Sequence, residues 1–320
     1  MNTLSRHQLL PMKTLPEHQL ELFKKMGYHI VGTHGAVKPC LWSGRSIKGK
    51  GSCYKSQFYD IRSHRCIQMT PFLGCNQSCL HCWRPVEHPV DTPAEWDSPE
   101  EIVGGCIREQ RRLMSGYGGL DDADKVKWKE SLEPKHAAIS LAGEPTLYPF
   151  LPELVREFHK QGLTTFVVTN GTKPDVIEII RPSQLYMSLD APDKETYIRS
   201  CAPDHQDQWE RILESLEVLC HHPCRIAIRI TLTKGLNFKD AAGYARLIEL
   251  AEPDFVEVKA YMHLGYSRKR LERDAMPRHE EILEFTSELG RELGYHMADD
   301  VELSRVALLS KEEKVTPVIL

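Results

Sequence analysis

The chain has 320 residues, 41% of them hydrophobic, so it can bury a sizeable core in one large or two ordinary domains. Its 41 basic and 45 acidic residues give a formal net charge of −4, which does not indicate a strongly basic nucleic-acid-binding protein. No stretch approaches the roughly 18 continuous apolar residues of a membrane helix, and the N-terminus has no apolar signal segment. We therefore predict a cytoplasmic protein, with no membrane partner, that would contact RNA only through local basic patches.

Three cysteines near the N-terminus are widely and regularly spaced. Cys40, Cys53 and Cys66 are each thirteen residues apart, whereas the ligands of a zinc ribbon come in close pairs. Such gaps suit three loop positions that converge on one metal centre and leave it one ligand short. The alternative is a set of buried or disulfide-bonded cysteines, and disulfides imply an oxidising compartment.

A second cysteine trio follows the first predicted strand, Cys66–Thr70. Cys75, Cys79 and Cys82 have the spacing C-x3-C-x2-C and come from one short loop. Thiolates are soft ligands that select iron–sulfur clusters, zinc or Cu(I). A structural zinc site would need a fourth ligand, such as His81 or a distant residue. In a [4Fe–4S] cluster, three thiolates leave one iron free for an outside molecule.

From Cys66 onward, apolar stretches of strand length alternate with amphipathic stretches of helical length. The further predicted strands are Ala137–Leu141, Thr165–Thr169, Leu185–Leu189, Ile226–Leu232 and Phe255–Ala260. The predicted helices are Leu151–Gln161, Gln208–Cys220, Asp240–Ala251 and Arg278–Leu293. This alternation favours an α/β fold in which right-handed crossovers curl a parallel sheet into a full or partial barrel. Its chemistry would lie at the C-terminal ends of the strands.

The pattern predicts three regions. An N-terminal extension over residues 1–65 carries Cys40 and Cys53, a barrel follows over residues 66–300, and residues 301–320 form a C-terminal tail. Within these, the stretch Ser43–Ser52 is typical of a loop because it is rich in Gly, Lys and Ser. Ser98–Leu132 is predicted to be a partly helical insertion.

The C-x3-C-x2-C loop, with Trp83 directly after its third cysteine, resembles the signature of the radical S-adenosylmethionine (SAM) superfamily. The resemblance implies a partial (β/α)6 barrel and a [4Fe–4S] cluster on Cys75, Cys79 and Cys82. The open iron of that cluster would chelate the amino and carboxylate groups of SAM.

Polar residues in or after the other strands are candidates for contact with SAM. These candidates are Gly143, Glu144, Asn170, Ser188, Asp190 and Arg229, with Glu257 and Lys259 beside them. A similar Gly-Glu run meets the SAM amino group in the superfamily, and Ser188 and Asp190 suit the ribose or the methionine carboxylate. Each residue alone has a structural alternative, but polar ends on every strand are what a barrel active site needs.

Four segments together resemble the 4-demethylwyosine synthase family, radical SAM enzymes of the wybutosine pathway of tRNA modification. They are Lys38-Pro-Cys40, Gly51-Ser-Cys53-Tyr-Lys55, the run from Ser63 through Cys66 to Pro71, and Cys82-Trp-Arg-Pro85. The resemblance covers nearly the whole chain after about residue 35. It implies that N1-methylguanosine, 3′ of the anticodon in phenylalanine tRNA, is condensed with pyruvate to a tricyclic base. Two pyruvate carbons would be added and the third lost.

By the same resemblance, Cys40, Cys53 and Cys66 hold a second [4Fe–4S] cluster with pyruvate on its open iron. Lys55 matches a lysine proposed to form a Schiff base with pyruvate. The amine must then be deprotonated, so its pKa must fall well below about 10.4, and the nearby cations Arg45, Lys48 and Lys50 would favour this. The alternative for Lys55 is a solvated surface lysine or a contact with a tRNA phosphate.

Electron and RNA partners are also expected. Eukaryotic relatives in that family carry a flavodoxin-like domain, whereas 39 residues precede Cys40 here, so we expect the shorter archaeal type and a separate flavodoxin- or ferredoxin-like donor. Candidate phosphate contacts are the segments Arg45–Lys55, Arg108–Arg112 and Arg268–Arg278. Candidate rings for stacking on the base are Trp42, Trp83, Tyr261 and Tyr266. The alternatives are solvated charged faces and core packing.

Two other functions stay open at this point. One is a different radical SAM enzyme with an auxiliary cluster, although such enzymes generally place the auxiliary cysteines after the barrel. The other is a non-enzymatic iron–sulfur or zinc protein that binds RNA or senses redox state. The cysteines outside both trios, Cys106, Cys201, Cys220 and Cys224, are expected to be buried thiols.

Overall fold

The computed structural model describes residues 15–318 and contains one ten-stranded sheet. Its strands are β1 (His29–Val31), β2 (Gly35–Val37), β3 (Cys66–Thr70), β4 (His136–Ile139), β5 (Thr164–Thr169), β6 (Gln184–Ser188), β7 (Arg225–Leu232), β8 (Phe255–Ala260), β9 (His296–Val301) and β10 (Val306–Ser310). The spatial order is β1-β2-β3-β4-β5-β6-β7-β8-β10-β9. Strands β3 to β8 are parallel to one another, and β1, β2, β10 and β9 add antiparallel pairs at the two edges.

The connections between the parallel strands are mostly helical. The helices are α1 (Glu17–Lys25), α2 (Leu41–Ile47), α3 (Tyr54–Tyr59), α4 (Pro99–Ser115), α5 (Lys125–Ser131), α6 (Leu151–Lys160), α7 (Pro174–Ile179), α8 (Lys194–Cys201), α9 (Gln208–Cys220), α10 (Ala241–Ile248) and α11 (His279–Leu293). Six consecutive parallel strands with helical crossovers form the partial (β/α)6 barrel predicted from the sequence, and the sheet is not closed. Among the described residues, none of the helices combines the length and apolar character needed to cross a lipid bilayer.

The two faces of the sheet pack against different partners. Val167 and Leu185 belong to the large core between the sheet and its helices. Their strand neighbours Phe166 and Tyr186 point to the opposite face and pack with aromatic residues of α3. Because side chains alternate along a strand, this places α3 inside the curved sheet. The N-terminal extension therefore fills part of the barrel interior.

The structure corrects two sequence predictions. Val306–Ser310, in the segment predicted as a tail, forms β10, in which every residue is buried and which pairs with β8. This apolar run continues the sheet beyond β8. Leu41–Ile47 forms α2, so the segment from residue 43 begins as a helix and not as a loop. The predicted boundaries at residues 1 and 320 lie outside the described residues.

Candidate active site

The parallel strands carry at their C-terminal ends a cavity of about 540 Å³. Its lining includes all six residues predicted to contact SAM and all three cysteines of the C-x3-C-x2-C loop: Gly143, Glu144, Asn170, Ser188, Asp190, Arg229, Cys75, Cys79 and Cys82. The structure therefore brings residues from β4, β5, β6 and β7 together with the loop after β3. Their contacts with a ligand stay predictions.

A half-buried arginine lies against the sulfurs of this loop. Arg84 Nε is 3.1 Å from Cys82 Sγ, and the same guanidinium interacts with Cys75. Burial alone would raise the pKa of Cys82, but Arg84 outweighs it and the pKa is lowered. Burial raises the pKa of Cys75 to about 11, with Arg84 acting in the opposite direction. N–H groups and a cation beside the sulfurs fit an anionic thiolate-bound cluster.

The geometry differs from that of a site for a single ion. Within residues 15–318, no three Cys, His, Asp or Glu side chains are grouped so that they could hold one metal ion. The cysteines of a cubane bind separate irons, so they surround a larger core. His81, the alternative zinc ligand, instead has its Nε2 3.3 Å from Asp190 Oδ2. Burial would lower the pKa of His81, but Asp190 outweighs it and raises the pKa to about 9.

A second arginine, distant in sequence, donates hydrogen bonds to the backbone of the loop. Arg270 Nε donates to the carbonyl of Leu80 at 3.1 Å, and its guanidinium also donates to the carbonyl of Cys82. Its Nη1 lies 2.6 Å from Glu87. Arg270 was expected among the phosphate contacts, but these bonds occupy its guanidinium. Sequence reasoning missed its role because the partners are about 190 positions apart.

Glu144 holds the ends of two neighbouring strands. Its Oε1 accepts from the Thr169 hydroxyl at 2.7 Å and from the Thr146 hydroxyl at 2.7 Å, and its Oε2 accepts from the Asn170 amide at 2.7 Å. Burial raises the pKa of Glu144, and these hydrogen bonds oppose the shift. The carboxylate therefore fixes the turns after β4 and β5 beside the cavity.

Gly143 allows the β4 end to approach the cysteine loop. Its φ is +72°, a left-handed conformation, and a Cβ at this position would collide with the carbonyl oxygen of Phe72. The next residue, Glu144, donates its amide to the carbonyl of Gly74 at 2.8 Å. The glycine is therefore needed for the contact that positions Cys75.

The other trio lies at the opposite end of β3. Cys66 is the first residue of β3, Cys75 follows its end, and the four intervening steps along the strand span about 13 Å. Cys40 and Cys53 directly precede α2 and α3. Burial raises the pKa of Cys66 to about 12; Cys40 and then Cys53 add to the shift, while the Lys55 charge opposes it. These electrostatic effects on the pKa of Cys66 indicate that the three cysteines and Lys55 lie close together.

Lys55 lies on aromatic rings inside the barrel. Its Nζ is 4.2 Å from the ring centroid of Tyr186 and 4.9 Å from that of Phe166. Burial lowers the pKa of Lys55 to about 8, and the Arg229 charge is the next cause. The sequence predicted a lowered pKa for Lys55, which agrees with this. The predicted cause, the charges of Arg45, Lys48 and Lys50, was wrong. Burial and Arg229 lower this pKa, whereas Lys48 and Lys50 form ion pairs with Asp122.

A buried carboxylate lies close to Lys55. Glu257 is fully buried; its Oε1 accepts from Tyr59 Oη at 2.9 Å and its Oε2 from Tyr54 Oη at 3.1 Å. Arg229 donates to Oε2 from Nε at 3.0 Å and from Nη2 at 2.8 Å. The sequence indicated the two charged residues but not the tyrosines, because nothing local in α3 reveals a partner about 200 residues away.

Comparison with known proteins identifies two family matches along the chain. Residues 69–248 match the Radical SAM superfamily, and residues 250–311 match the family described as Wyosine base formation. The S-adenosyl-L-methionine-dependent tRNA 4-demethylwyosine synthase of Pyrococcus abyssi is 49% identical over 93% of this chain and 90% of its own. The protein of the same name from Methanocaldococcus jannaschii is 45% identical over 95% of this chain and 99% of its own.

A solved structure agrees in fold. It is described as TYW1 with a lysine-pyruvate adduct bound, has a TM-score of 0.87 and 44% identity, and the match covers 95% of this chain and 99% of that chain. Radical SAM enzymes use a [4Fe–4S] cluster and SAM, which agrees with the loop of three cysteines beside the cavity. The chain belongs to the family of radical SAM tRNA 4-demethylwyosine synthases, enzymes of wyosine and wybutosine biosynthesis.

Proposed function

We propose that this chain condenses N1-methylguanosine in phenylalanine tRNA with pyruvate to form 4-demethylwyosine. One arrangement carries the proposal: a cavity lined by Cys75, Cys79 and Cys82 at the C-terminal end of β3, and a second cysteine trio with Lys55 at its N-terminal end. A radical generated on one side then has a site for the second substrate on the other. Binding both substrates in one protein makes their encounter local.

On the cavity side, the residues hold and orient the cofactors. Cys75, Cys79 and Cys82 bind the [4Fe–4S] cluster, and Arg84 balances the charge of their thiolates. Gly143, Glu144, Asn170, Ser188, Asp190 and Arg229 are the proposed surroundings of SAM. When bound, the cluster and SAM supply the radical that takes hydrogen from an unactivated methyl group. The protein excludes water and keeps that methyl group in reach.

On the other side, Cys40, Cys53 and Cys66 are the proposed ligands of a second [4Fe–4S] cluster that positions pyruvate. Their donor set fits, since three thiols lie close to one another and to Lys55. The Lys55 amine attacks the keto carbon of pyruvate, which its lowered pKa favours. A lysine–pyruvate adduct is named in the description of one solved relative, and Lys55 is our candidate for that lysine here.

The entrance of the cavity suits a base that leaves its stack. Leu41, Leu264 and Leu303 line the cavity while 68%, 57% and 72% exposed. Trp42 also lines it, with the Arg45 guanidinium 5.2 Å from its ring centroid. Splayed RNA bases stack on aromatic rings and guanidinium planes such as those of Trp42 and Arg45. The electron that cleaves SAM comes from a separate flavodoxin- or ferredoxin-like donor. We also propose that the enzyme works in the cytoplasm.

A direct assay tests the function. The reconstituted protein, with SAM, pyruvate, a reductant and tRNA that contains N1-methylguanosine, is expected to form the tricyclic base, measured by mass spectrometry of the digested tRNA. Omission of pyruvate should abolish the product. SAM cleavage without any modified base in the complete mixture would contradict the proposal.

The second cysteine trio can be tested separately. Cys40→Ala is expected to retain SAM cleavage and to lose ring formation, with iron falling from about eight to about four atoms per chain because a [4Fe–4S] cluster contains four. Cys106→Ala, a buried thiol in α4 outside both trios, is the matched control and should keep both activities. Ring formation by Cys40→Ala would contradict a substrate role for the second trio.

A further inference from the structure

Three basic side chains lie near Glu257 in the barrel interior. These side chains are Lys55, Arg229 and Lys259, and the Glu257 carboxylate interacts electrostatically with each of them. Buried charges are normally paired, so a basic side chain that is charged here needs an anionic partner.

Glu257 does not supply a partner for Lys259. Its carboxylate already accepts from Tyr54, Tyr59 and both Nε and Nη2 of Arg229. Lys259 Nζ instead donates to the carbonyl of Ser304 at 3.3 Å and lies 4.8 Å from the ring centroid of Tyr54. No carboxylate forms an ion pair with Lys259 in the described part of the chain. Its ammonium therefore has capacity for an anion.

Lys259 also lies between the two functional regions. It lines the cavity together with Ser304, and it is paired in register with Thr231, whose amide donates to Asp190 on the SAM side. On the other side, its Nζ contacts the ring of Tyr54, the residue before Lys55. Burial lowers the pKa of Lys259 to about 8; Arg229 is the next cause, and Lys55 is close enough to contribute.

We propose that Lys259 binds the carboxylate of pyruvate while Lys55 holds its keto carbon. This inference rests on the proposed function and adds a second contact for the same substrate. The carboxylate is bonded directly to the keto carbon. A neutral Lys55 amine that attacks the keto carbon therefore brings the carboxylate toward the neighbouring Lys259 ammonium. The ion pair would orient the keto carbon toward Lys55 and select 2-oxo acids over neutral ketones.

Adduct trapping measures this contact without SAM turnover. The Lys55 amine adds to the keto carbon and water leaves, giving an imine; cyanoborohydride then delivers hydride to the imine carbon, solvent protonates nitrogen, and a stable secondary amine results. Peptide mass spectrometry quantifies the adduct on Lys55 against pyruvate concentration. Lys259→Met is expected to raise the half-maximal concentration about 10- to 100-fold, the range for loss of a hydrogen bond to a charged group. Lys259→Arg should recover part of the affinity.

A neutral analogue separates carboxylate binding from general damage. Wild type should need far more pyruvamide than pyruvate, whereas Lys259→Met should need similar concentrations of the two. Lys234→Met, which removes a lysine paired with Glu281, should behave as wild type. An unchanged half-maximal concentration in Lys259→Met, or equal weakening for pyruvate and pyruvamide, would overturn the inference. Absence of any Lys55 adduct in wild type would overturn the proposed Schiff base and this contact with it.

Discussion

Two arginines separated by 186 positions hold the loop that carries Cys75, Cys79 and Cys82. Arg84 donates to a sulfur of the loop, and Arg270 donates to its carbonyl groups. Hydrogen bonds that involve a charged group are each worth about 1.5–3 kcal/mol. The conformation of the loop is therefore determined by the folded protein before any ligand is considered.

At the same scale, Gly143→Ala is expected to reduce the iron content of the site on Cys75. Both its φ of +72° and the collision of a Cβ with the Phe72 carbonyl act against alanine. Gly294→Ala is the matched control, since Gly294 has a φ of +68° with no atom within 4 Å of a Cβ. Each variant bears the left-handed cost of about 1–2 kcal/mol, but only Gly143→Ala should lose iron, measured per chain after reconstitution. Equal iron in both variants would argue against this role of Gly143.

The roles of individual site residues were predictable where chemistry is local in the sequence. The spacing of Cys75, Cys79 and Cys82 indicated a thiolate site without knowledge of the fold. The resemblance to a family motif indicated the importance of Lys55, but it did not indicate the cause of the lowered pKa. Phe166, Tyr186 and Arg229 become neighbours of Lys55 only after the barrel forms. Burial and the Arg229 charge therefore lower this pKa only in the folded protein.

At the scale of elements, the contact between α3 and β8 joins the N-terminal extension to the barrel. Glu257→Gln is expected to lower the free energy of unfolding by about 3–5 kcal/mol, because Arg229 would lose its buried partner. Glu252→Gln, which alters an exposed pair with Lys311, should change it by about 0.5 kcal/mol or less. The shift of the urea midpoint measures both. A similar small shift for the two variants would show that the buried pair does not stabilise this contact.

Helices and strands were predictable where burial gives their sequence a clear apolar pattern. The strand ending at Leu232 and the strand Phe255–Ala260 are largely buried. Their apolar residues revealed them, although Arg229, Glu257 and Lys259 interrupt the apolar runs. Helix α2 was missed because its Ser and Gly residues are typical of loops, and the packing of Ile47 with Met114 and Ala123 stabilises its conformation. Strand β10 was missed because a short apolar run near the C-terminus has no periodic signal of its own; its pairing with β8 decides its structure.

At the scale of the whole molecule, β10 completes the sheet beyond β8 and contributes to the interior of the barrel. Leu308 is fully buried and packs in the same cluster as Tyr54 and Tyr59. Leu308→Asp is expected to lower the soluble yield and the thermal midpoint sharply, because an ionised carboxylate without a partner is costly to bury. Leu303→Asp is the control, since Leu303 is 72% exposed. Equal midpoints for the two variants would contradict an essential role of β10 in the fold.

The fastening of the cysteine loop by Arg270 has a consequence for how the enzyme is made. Translation proceeds from the N-terminus, so Cys75, Cys79 and Cys82 are synthesised about 190 residues before Arg270. At about 5–20 residues per second, this interval lasts roughly 10–40 s. During that time a nascent chain carries reactive thiols without the arginine that orders their backbone. Iron–sulfur assembly on this loop is therefore expected to be a post-translational step, which acts on a released chain and not on one still attached to the ribosome.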